Sequence, residues 1–437
     1  MTTTDTQNTH PFRVANFRAY WAARLTMTLA QYAMLLIIGW QTYNLARDAG
    51  MSVGEASGQL ALIGLLQFVP LFLLTPFTGL AADRFHRRNL GRAMVLMQLL
   101  CAGTLALFTW NYAIGLPVLY TVAVFLGIAR AFAGPAFSAL APNLVPKAIL
   151  PNAIALSSIA WQVGMIVGPA VGGVLYEVAP FLPYAIAAVL FACSIIALSF
   201  IGEVPRGSPR STDKPLRQIR EGLVYVVRNK MVLGAITLDL FAVFLAGATA
   251  LFPVYARDIL QVGASGLSQL AMAPAIGAAL TALWFSFSPL KNNVGPKMLG
   301  AVAIFGCATV VFGLSTSMPL SLAMLFIVGA ADMFSVYIRQ SLIQLHTPDD
   351  KRGRVSAVSL MTISASNEFG DFFSGSLAFL IGPVAAVVAG GAGAIVTVAA
   401  WTGLFPVLRT TRTFDPPEEL QDNTPTDPTT EAAKKGA

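Results

Sequence analysis

This sequence predicts an all-α polytopic membrane protein of twelve crossings, arranged as two pseudo-symmetric six-helix halves, and three observations carry that expectation. Of its 437 residues, 56% are hydrophobic and only 11% charged, with a mean hydropathy of +0.68, more apolar surface than a soluble fold of this length can hide. With about 20 apolar residues per crossing, a dozen crossings take about 240 residues and leave short connections. An internal repeat then divides the chain in two.

Apolar runs between charged, Pro or Gly punctuation place crossings near 19–43, 59–82, 91–110, 116–139, 152–178 and 182–202, then near 231–255, 264–287, 297–316, 319–343, 354–381 and 383–407. Residues 1–18 are an N-terminal tail, 19–202 the first bundle, 203–230 a linker and 231–407 the second bundle. The tail at 408–437 is rich in Pro, Thr, Asp and Glu, which predicts disorder. The linker opens with Pro205, Gly207, Pro209 and Ser211, then sets Leu216, Ile219, Leu223, Val226 and Val227 on one helical face and Arg217, Arg220 and Arg228 on others. That pattern suits an amphipathic helix lying on a membrane surface. The first apolar run is too long for a signal-peptide core and has no small-residue cleavage site after it, so the first crossing is expected to remain as an anchor.

The net charge of +7 is chiefly topology. With the N-terminus on the linker side, 23 of the 28 Lys and Arg fall on that side, only Arg47 and Arg257 on the other, and Arg24, Arg130 and Arg339 within crossings. The positive-inside rule therefore puts both termini in the cytoplasm and leaves no basic patch for nucleic acid. Cys101, Cys193 and Cys307 are odd in number and sit in apolar runs, which excludes a secreted disulfide framework.

The repeat is direct: FLGIARAF from Phe125 matches IVGAADMF from Ile327 at an offset of 202, and Pro146, Ala155, Gly168 and Gly173 fall on Pro348, Ala357, Gly370 and Gly375. Six helices per half give both halves the same direction, so the repeats are parallel and related by an axis along the membrane normal, an architecture that places a substrate site at the midplane between them.

Ionisable residues inside crossings need a wet cavity or a partner, since a charge at the bilayer centre costs about 3 kcal/mol or more. Arg24, Arg130, Asp239 and Asp332 lie roughly 8–17 Å from the linker side at 1.5 Å per residue, nearly one layer. They predict a common polar interior, with a static salt bridge between helices as the alternative. Arg130 and Asp332 are repeat equivalents of opposite sign. Arg24, Arg130, Asn367 and Ser366 are candidates for the substrate cavity, and Asp239, Glu368, Asp371 and Asp332 for proton coupling, because buried carboxylates can titrate near neutral pH. Asp239 and Glu368 lead, as deep acids with no neighbouring partner in sequence.

Two motifs bear on motion. Gly79, Asp83, Arg84, Arg87 and Arg88 bring an acid at a helix end to a cluster of cations, a candidate cytoplasmic latch or simply positive-inside charge. Gly164, Gly168, Pro169, Gly172 and Gly173 form a small-residue groove expected to be a moving contact, with static helix packing as the alternative.

These stretches carry a resemblance. The loop from Gly79 to Arg88 resembles the signature loop of the major facilitator superfamily, with His86 in place of its second glycine. The string from Gly164 to Gly173 is similar to the antiporter motif of exporters in that superfamily, and Arg130 with Gly134 to a feature of its proton-driven exporters. Asp239 to Leu260, Gly329 to Ser359 and Ala365 to Gly375 look like the enterobactin-exporter-like branch, and the similarity spans about residues 11 to 410. The resemblance implies the major facilitator fold and proton-coupled export of a drug or siderophore-like amphiphile from a bacterial inner membrane. An uptake permease, which usually lacks the glycine string, is the main alternative; a non-transporting scaffold or an intramembrane enzyme is weaker. With no nucleotide-binding or hydrolase motif, and with His10, His86 and His346 scattered in polar segments, no enzyme activity, cofactor or metal is expected. The partners implied are a small-molecule substrate, protons and the lipid bilayer, for a monomeric chain.

Overall fold

The computed structural model describes residues 10–84, 86–202, 215–288 and 290–414, without the side chains at 76, 79–84, 139, 147, 215–219, 349, 350, 360, 364, 365 and 368. A bilayer offers the backbone no hydrogen-bond partner, so the apolar runs close into helices. The first half comprises α1 (Ala15–Asp48), α2 (Val53–Arg84), α3 (Arg87–Trp110), α4 (Leu116–Leu140), α5 (Leu150–Val178) and α6 (Leu182–Ser199). The linker helix is α7 (Pro215–Arg228). The second half holds α8 (Lys230–Leu245), the single turn α9 (Phe252–Val254), α10 (Gly263–Phe287), α11 (Val294–Leu314), α12 (Met318–Leu345), α13 (Asp349–Ile381), α14 (Pro383–Leu404) and the short α15 (Pro406–Thr410).

Among the described residues, eleven helices are long and apolar enough to cross a membrane. The twelfth expected crossing, α13, has 33 residues, about 50 Å at 1.5 Å each, but is apolar only over Phe369–Ile381. The rest of it is polar because it runs between α2 and α8 and lines the interior.

The seventh crossing spans Lys230–Ile259 as expected but is not one regular helix: α8 stops at Leu245, a 3-10 turn covers Thr249–Leu251, and after α9 the chain winds as a π-helix over Tyr255–Ile259. At the break, Gly247 lies where a Cβ would stand 3.2 Å from the Gly370 carbonyl carbon, and Pro253 falls in the first turn of α9, where its missing amide hydrogen is tolerated. The C-terminal tail also begins later than expected. Leu408 is buried, and the amides of Val294 and Gly295 donate to the carbonyls of Arg412 and Thr411, tying the end of the bundle to the start of α11.

The helix termini sort onto two faces. At one, the α7 face, lie the linker and the longer polar loops; at the other, the hairpin face, short turns join α1 to α2, α5 to α6 and α13 to α14. Each half has its own core, one including Tyr20, Phe137 and Phe191, the other Met298, Val302 and Ile338. A third apolar cluster joins Trp40, Tyr43 and Leu60 to Phe252, Tyr255 and Leu267 and so bridges the halves toward the hairpin face.

Polar contacts close the same end. Arg47 Nε donates to Asp258 Oδ2 at 3.2 Å, and Arg257 Nη2 to Asp48 Oδ1 at 2.7 Å. The Tyr43 hydroxyl also donates to Asp258, and Arg257 Nη1 to the Asn44 side-chain oxygen at 2.5 Å. Lower on the same seam the Ser268 hydroxyl donates to the Pro169 carbonyl at 2.7 Å, and α2 meets α13 at Gly54, Gly58 and Gly375. Toward the α7 face α2 and α13 part around a cavity that reaches Thr78 on one and Ala357 on the other. The halves are thus closed at the hairpin face, and toward the α7 face a cavity stands between them while α2 still approaches the linker helix.

The glycine string divides between two neighbours. Gly164, Gly168 and Gly172 lie one turn apart and all abut α1 within their own half; a Cβ at Gly168 would stand 2.8 Å from the Leu29 carbonyl oxygen. Gly173, 100° further round, abuts Ala264 and Ser268 of the other half. The contact between halves therefore belongs to Gly173 and Pro169 rather than to the whole string.

Two predictions follow from this geometry. Gly168→Val overpacks the α1–α5 seam and lowers the unfolding temperature of the purified protein by an amount corresponding to about 1–3 kcal/mol, whereas Gly173→Val leaves each half folded and raises the labelling of a cysteine placed at the hairpin face. Asp258→Asn raises that labelling more than Asp48→Asn does, because Asp258 holds both Tyr43 and Arg47 and its side chain is 22% exposed against 66% for Asp48; equal labelling by the two variants would refute the ranking.

Candidate functional site

Two cavities lie between the halves, and Tyr32 lines both. The one nearer the hairpin face has a volume of about 410 Å³. Its wall is apolar, including Leu36, Ile63 and Phe252, apart from Gln67, Thr249, Asp332 and Asp371. The one nearer the α7 face is about 530 Å³ and carries Arg24, Arg130 and Asn367 beside Phe68, Phe72 and Trp161. Acids line the first cavity and guanidinium groups the second.

The repeat explains how Arg130 and Asp332 are placed. Gly127 lets α4 lie directly on the Gln67 carbonyl of α2, and its equivalent Gly329 lets α12 lie on the Pro274 carbonyl of α10; in neither place is there room for a Cβ. Three residues, nearly one turn, beyond each glycine stands the charged residue. Arg130 Nη1 donates to Gln67 Oε1 at 3.2 Å, so Gln67 spans from one cavity to the other. Asp332 faces the upper cavity with no cation within ion-pair distance among the described residues. Arg24 rests on the Tyr20 hydroxyl at 3.1 Å, itself hydrogen-bonded to Ser157 on α5 at 2.9 Å. The Arg24 Nε has no hydrogen-bond partner among the described residues.

Asp239 does not stand alone. It forms an ion pair with Arg339 of α12, with side chains 9% and 2% exposed. The pair joins residues 100 apart on different helices, and no local spacing reveals it. Arg339 also lies seven residues, two turns, beyond Asp332 on one face of α12, so one cation and two carboxylates share an electrostatic environment. Asp239 thus belongs to a helix-to-helix pair, and Asp332 is the acid of the three that the cavity reaches.

On α13, Asn367 and Asp371 lie one turn apart and line the lower and upper cavities respectively. The Thr249 hydroxyl, on the 3-10 turn of the broken crossing, donates to Asp371 at 2.8 Å. Ser366 requires a correction: it is buried and its hydroxyl donates to the Leu240 carbonyl at 2.9 Å, tying α13 to α8 rather than lining the cavity. The side chains of Asp83, Arg84 and Glu368, and the surroundings of Gly79, lie outside the described residues. Arg87 opens α3, and Arg88 donates to the carbonyls of Ile201 and Gly202 at the end of α6. Arg88 therefore ties the start of α3 to the chain just past α6, within its own half. No group of three or more His, Cys, Asp or Glu that could hold a metal occurs among the described residues.

A sequence model of the Major Facilitator Superfamily matches residues 19–371. The chain belongs to that superfamily. Among its relatives there, the multidrug efflux pump Tap of Mycobacterium bovis is 27% identical over 347 residues, covering 77% of this chain and 78% of Tap. The enterobactin exporter EntS of Escherichia coli O1:K1 is 24% identical over 394 residues, covering 89% and 90%. Solved structures agree in fold: a POT family transporter with 5-aminolevulinic acid gives a TM-score of 0.70 at 14% identity, covering 93% of this chain and 99% of that one. A D-xylose-proton symporter gives 0.67 at 14%, covering 87% and 96%. Membership in this superfamily makes the chain a multi-pass membrane transporter of a small molecule and not an enzyme.

The buried pair yields a stability prediction. Arg339→Leu strands Asp239 and costs about 3–5 kcal/mol, and Asp239→Leu added to it returns most of that loss. Unfolding of the two single variants and the double measures the coupling, and additive losses would contradict it.

Proposed function

We propose that this protein is a proton-coupled exporter of amphiphilic small molecules in a bacterial inner membrane, with the α7 face in the cytoplasm. The observation that carries the reading is the cavity pair: apolar and aromatic walls with separate acidic and basic sectors, closed toward the hairpin face and widening toward α7. The charge asymmetry of 23 to 2 favours the cytoplasm for the α7 face, and the relatives Tap and EntS are both exporters by name.

In this reading the substrate enters between α2 and α13, where the ends of those helices part. Its apolar body packs on Tyr32, Phe68, Phe72 and Trp161, while the guanidinium groups of Arg24 and Arg130 and the amide of Asn367 take its polar groups. Coupling needs a carboxylate that cannot hold a proton and engage the substrate at once. Asp332 is the leading candidate, since it borders the cavity with no ion pair among the described residues, and Asp371 and Glu368 lie on α13. Asp239 acts through Arg339, keeping that cation engaged behind Asp332. Rocking the halves then opens the hairpin face by separating Arg47 from Asp258 and Arg257 from Asp48, and closes the α7 face around the segment from Gly79 to Arg88.

Proteoliposomes with an imposed pH gradient test the assignment. Asp332→Asn and Glu368→Gln are expected to lose uphill efflux of an amphiphilic dye while retaining exchange of that dye between the two sides. Arg130→Gln is expected to weaken dye binding without abolishing the response to the gradient. Normal uphill efflux by both acid variants would end the coupling proposal, and dye accumulation in the direction opposite to export would end the exporter reading.

A further inference from the structure

We propose that the linker helix carries a binding site for the headgroup of an anionic phospholipid, between α7 and the first turns of α13. A hollow of about 550 Å³ opens there. Four cations, Arg220, Arg228, Lys351 and Arg354, line it with one acid, Glu221, which pairs with Arg354 at 2.9 Å. Lys351 stands 5.2 Å above the Tyr225 ring. Arg220 and Arg228 are exposed and make no ion pair among the described residues. His346, just behind Tyr225, adds no charge, because burial holds its imidazole below the ordinary pKa.

The pocket is preformed. Gly222 lies against the Arg354 carbonyl, where a Cβ would stand 2.7 Å from the oxygen. Val226 is buried with Val355 and Val358, and the Tyr225 hydroxyl donates to the His346 carbonyl at 2.9 Å. One side of α7 is thus fixed to α13. The rest of its surface is of mixed character: Val224 lies between Arg220 and Arg228 on one face, and Leu223, Val224 and Val227 are exposed, while α7 also approaches α2.

That juxtaposition selects the occupant. A soluble phosphate compound would satisfy the cations and leave Leu223, Val224 and Val227 in water. A phospholipid satisfies both, its phosphate among Arg220, Arg228 and Lys351 and its glycerol and upper chains over the aliphatic side chains, as interfacial helices do. Anionic lipids present this chemistry in either leaflet, so the site does not depend on the direction of transport. A bound lipid would join the linker to α13, whose far turns carry Asn367 and Asp371.

The test is lipid binding to the full-length protein in detergent, read by native mass spectrometry with phosphatidylglycerol and phosphatidylcholine. The wild type is expected to bind phosphatidylglycerol more tightly, and Arg220→Gln with Arg228→Gln to lower that affinity roughly 30-fold while leaving phosphatidylcholine unchanged. Arg220→Lys with Arg228→Lys should restore most of it, and unchanged thermal unfolding of all variants certifies the fold. Inorganic phosphate and glycerophosphoglycerol are expected not to displace the lipid at matched concentration. Equal affinity for the two lipids, equal affinity in wild type and the Gln variant, or displacement by either soluble anion would overturn the proposal.

Discussion

The reciprocal pairing of two Arg-Asp dipeptides at the hairpin face sets the arrangement on which the rest of the molecule depends. Arg47 meets Asp258 while Arg257 meets Asp48. Each dipeptide follows an alanine, so the same triplet ends the first and seventh crossings, and the exchange of partners is what a near two-fold axis requires: what i does to j, the equivalent of j does to the equivalent of i. Partly exposed ion pairs contribute only about 0–1 kcal/mol each. That weakness is useful, since a transporter must break the contact in every cycle. The apolar cluster around Trp40, Leu60, Phe252 and Leu267 gives the closed end more of its stability, and the charged pairs fix the register in which that cluster closes.

With the hairpin face shut, the cost of charge in an apolar medium decides where each ionisable side chain can rest. Asp239 and Arg339 neutralise one another in a dry contact between helices. A lone carboxylate in that place would be prohibitive. Asp332 and Asp371 instead border the upper cavity and Arg24 and Arg130 the lower one, where water can reach them. The single polar layer inferred from depth is therefore three environments, one sealed and two open, because depth along a helix says nothing about which way a side chain faces.

Most of the fold was legible because the bilayer enforces it: an unpaired backbone cannot cross, so each long apolar run must be a helix. What escaped notice depended on which face of a helix meets which neighbour. Gly168 and Gly173 belong to one string, yet 500° of helical turn separates them and they meet different halves. Ser366 and Asn367 are adjacent, and the 100° between them puts one against the Leu240 carbonyl and the other in the cavity. The break after Leu245 was hidden because it falls in a run that is apolar throughout. Arg339 could be counted but not paired. The repeated Ala-Arg-Asp triplet was the one local clue to the closed gate, and it stands in both halves of the sequence at equivalent helix ends.

Symmetry and chemistry divide the work between them. Gly127 and Gly329 are repeat equivalents and do the same job, bringing a helix directly onto the carbonyl of its neighbour. One turn later the equivalence holds in position and fails in sign, with Arg130 in one half and Asp332 in the other. Backbone packing can remain symmetric because both halves must rock by the same geometry. Identical charges in both halves would concentrate one sign near the axis, whereas opposite signs at equivalent positions leave one cavity acidic and the other basic. The same sign change gives the cavity two ends that are chemically distinct, so a substrate with apolar and polar parts has a preferred orientation along the axis on which the halves turn.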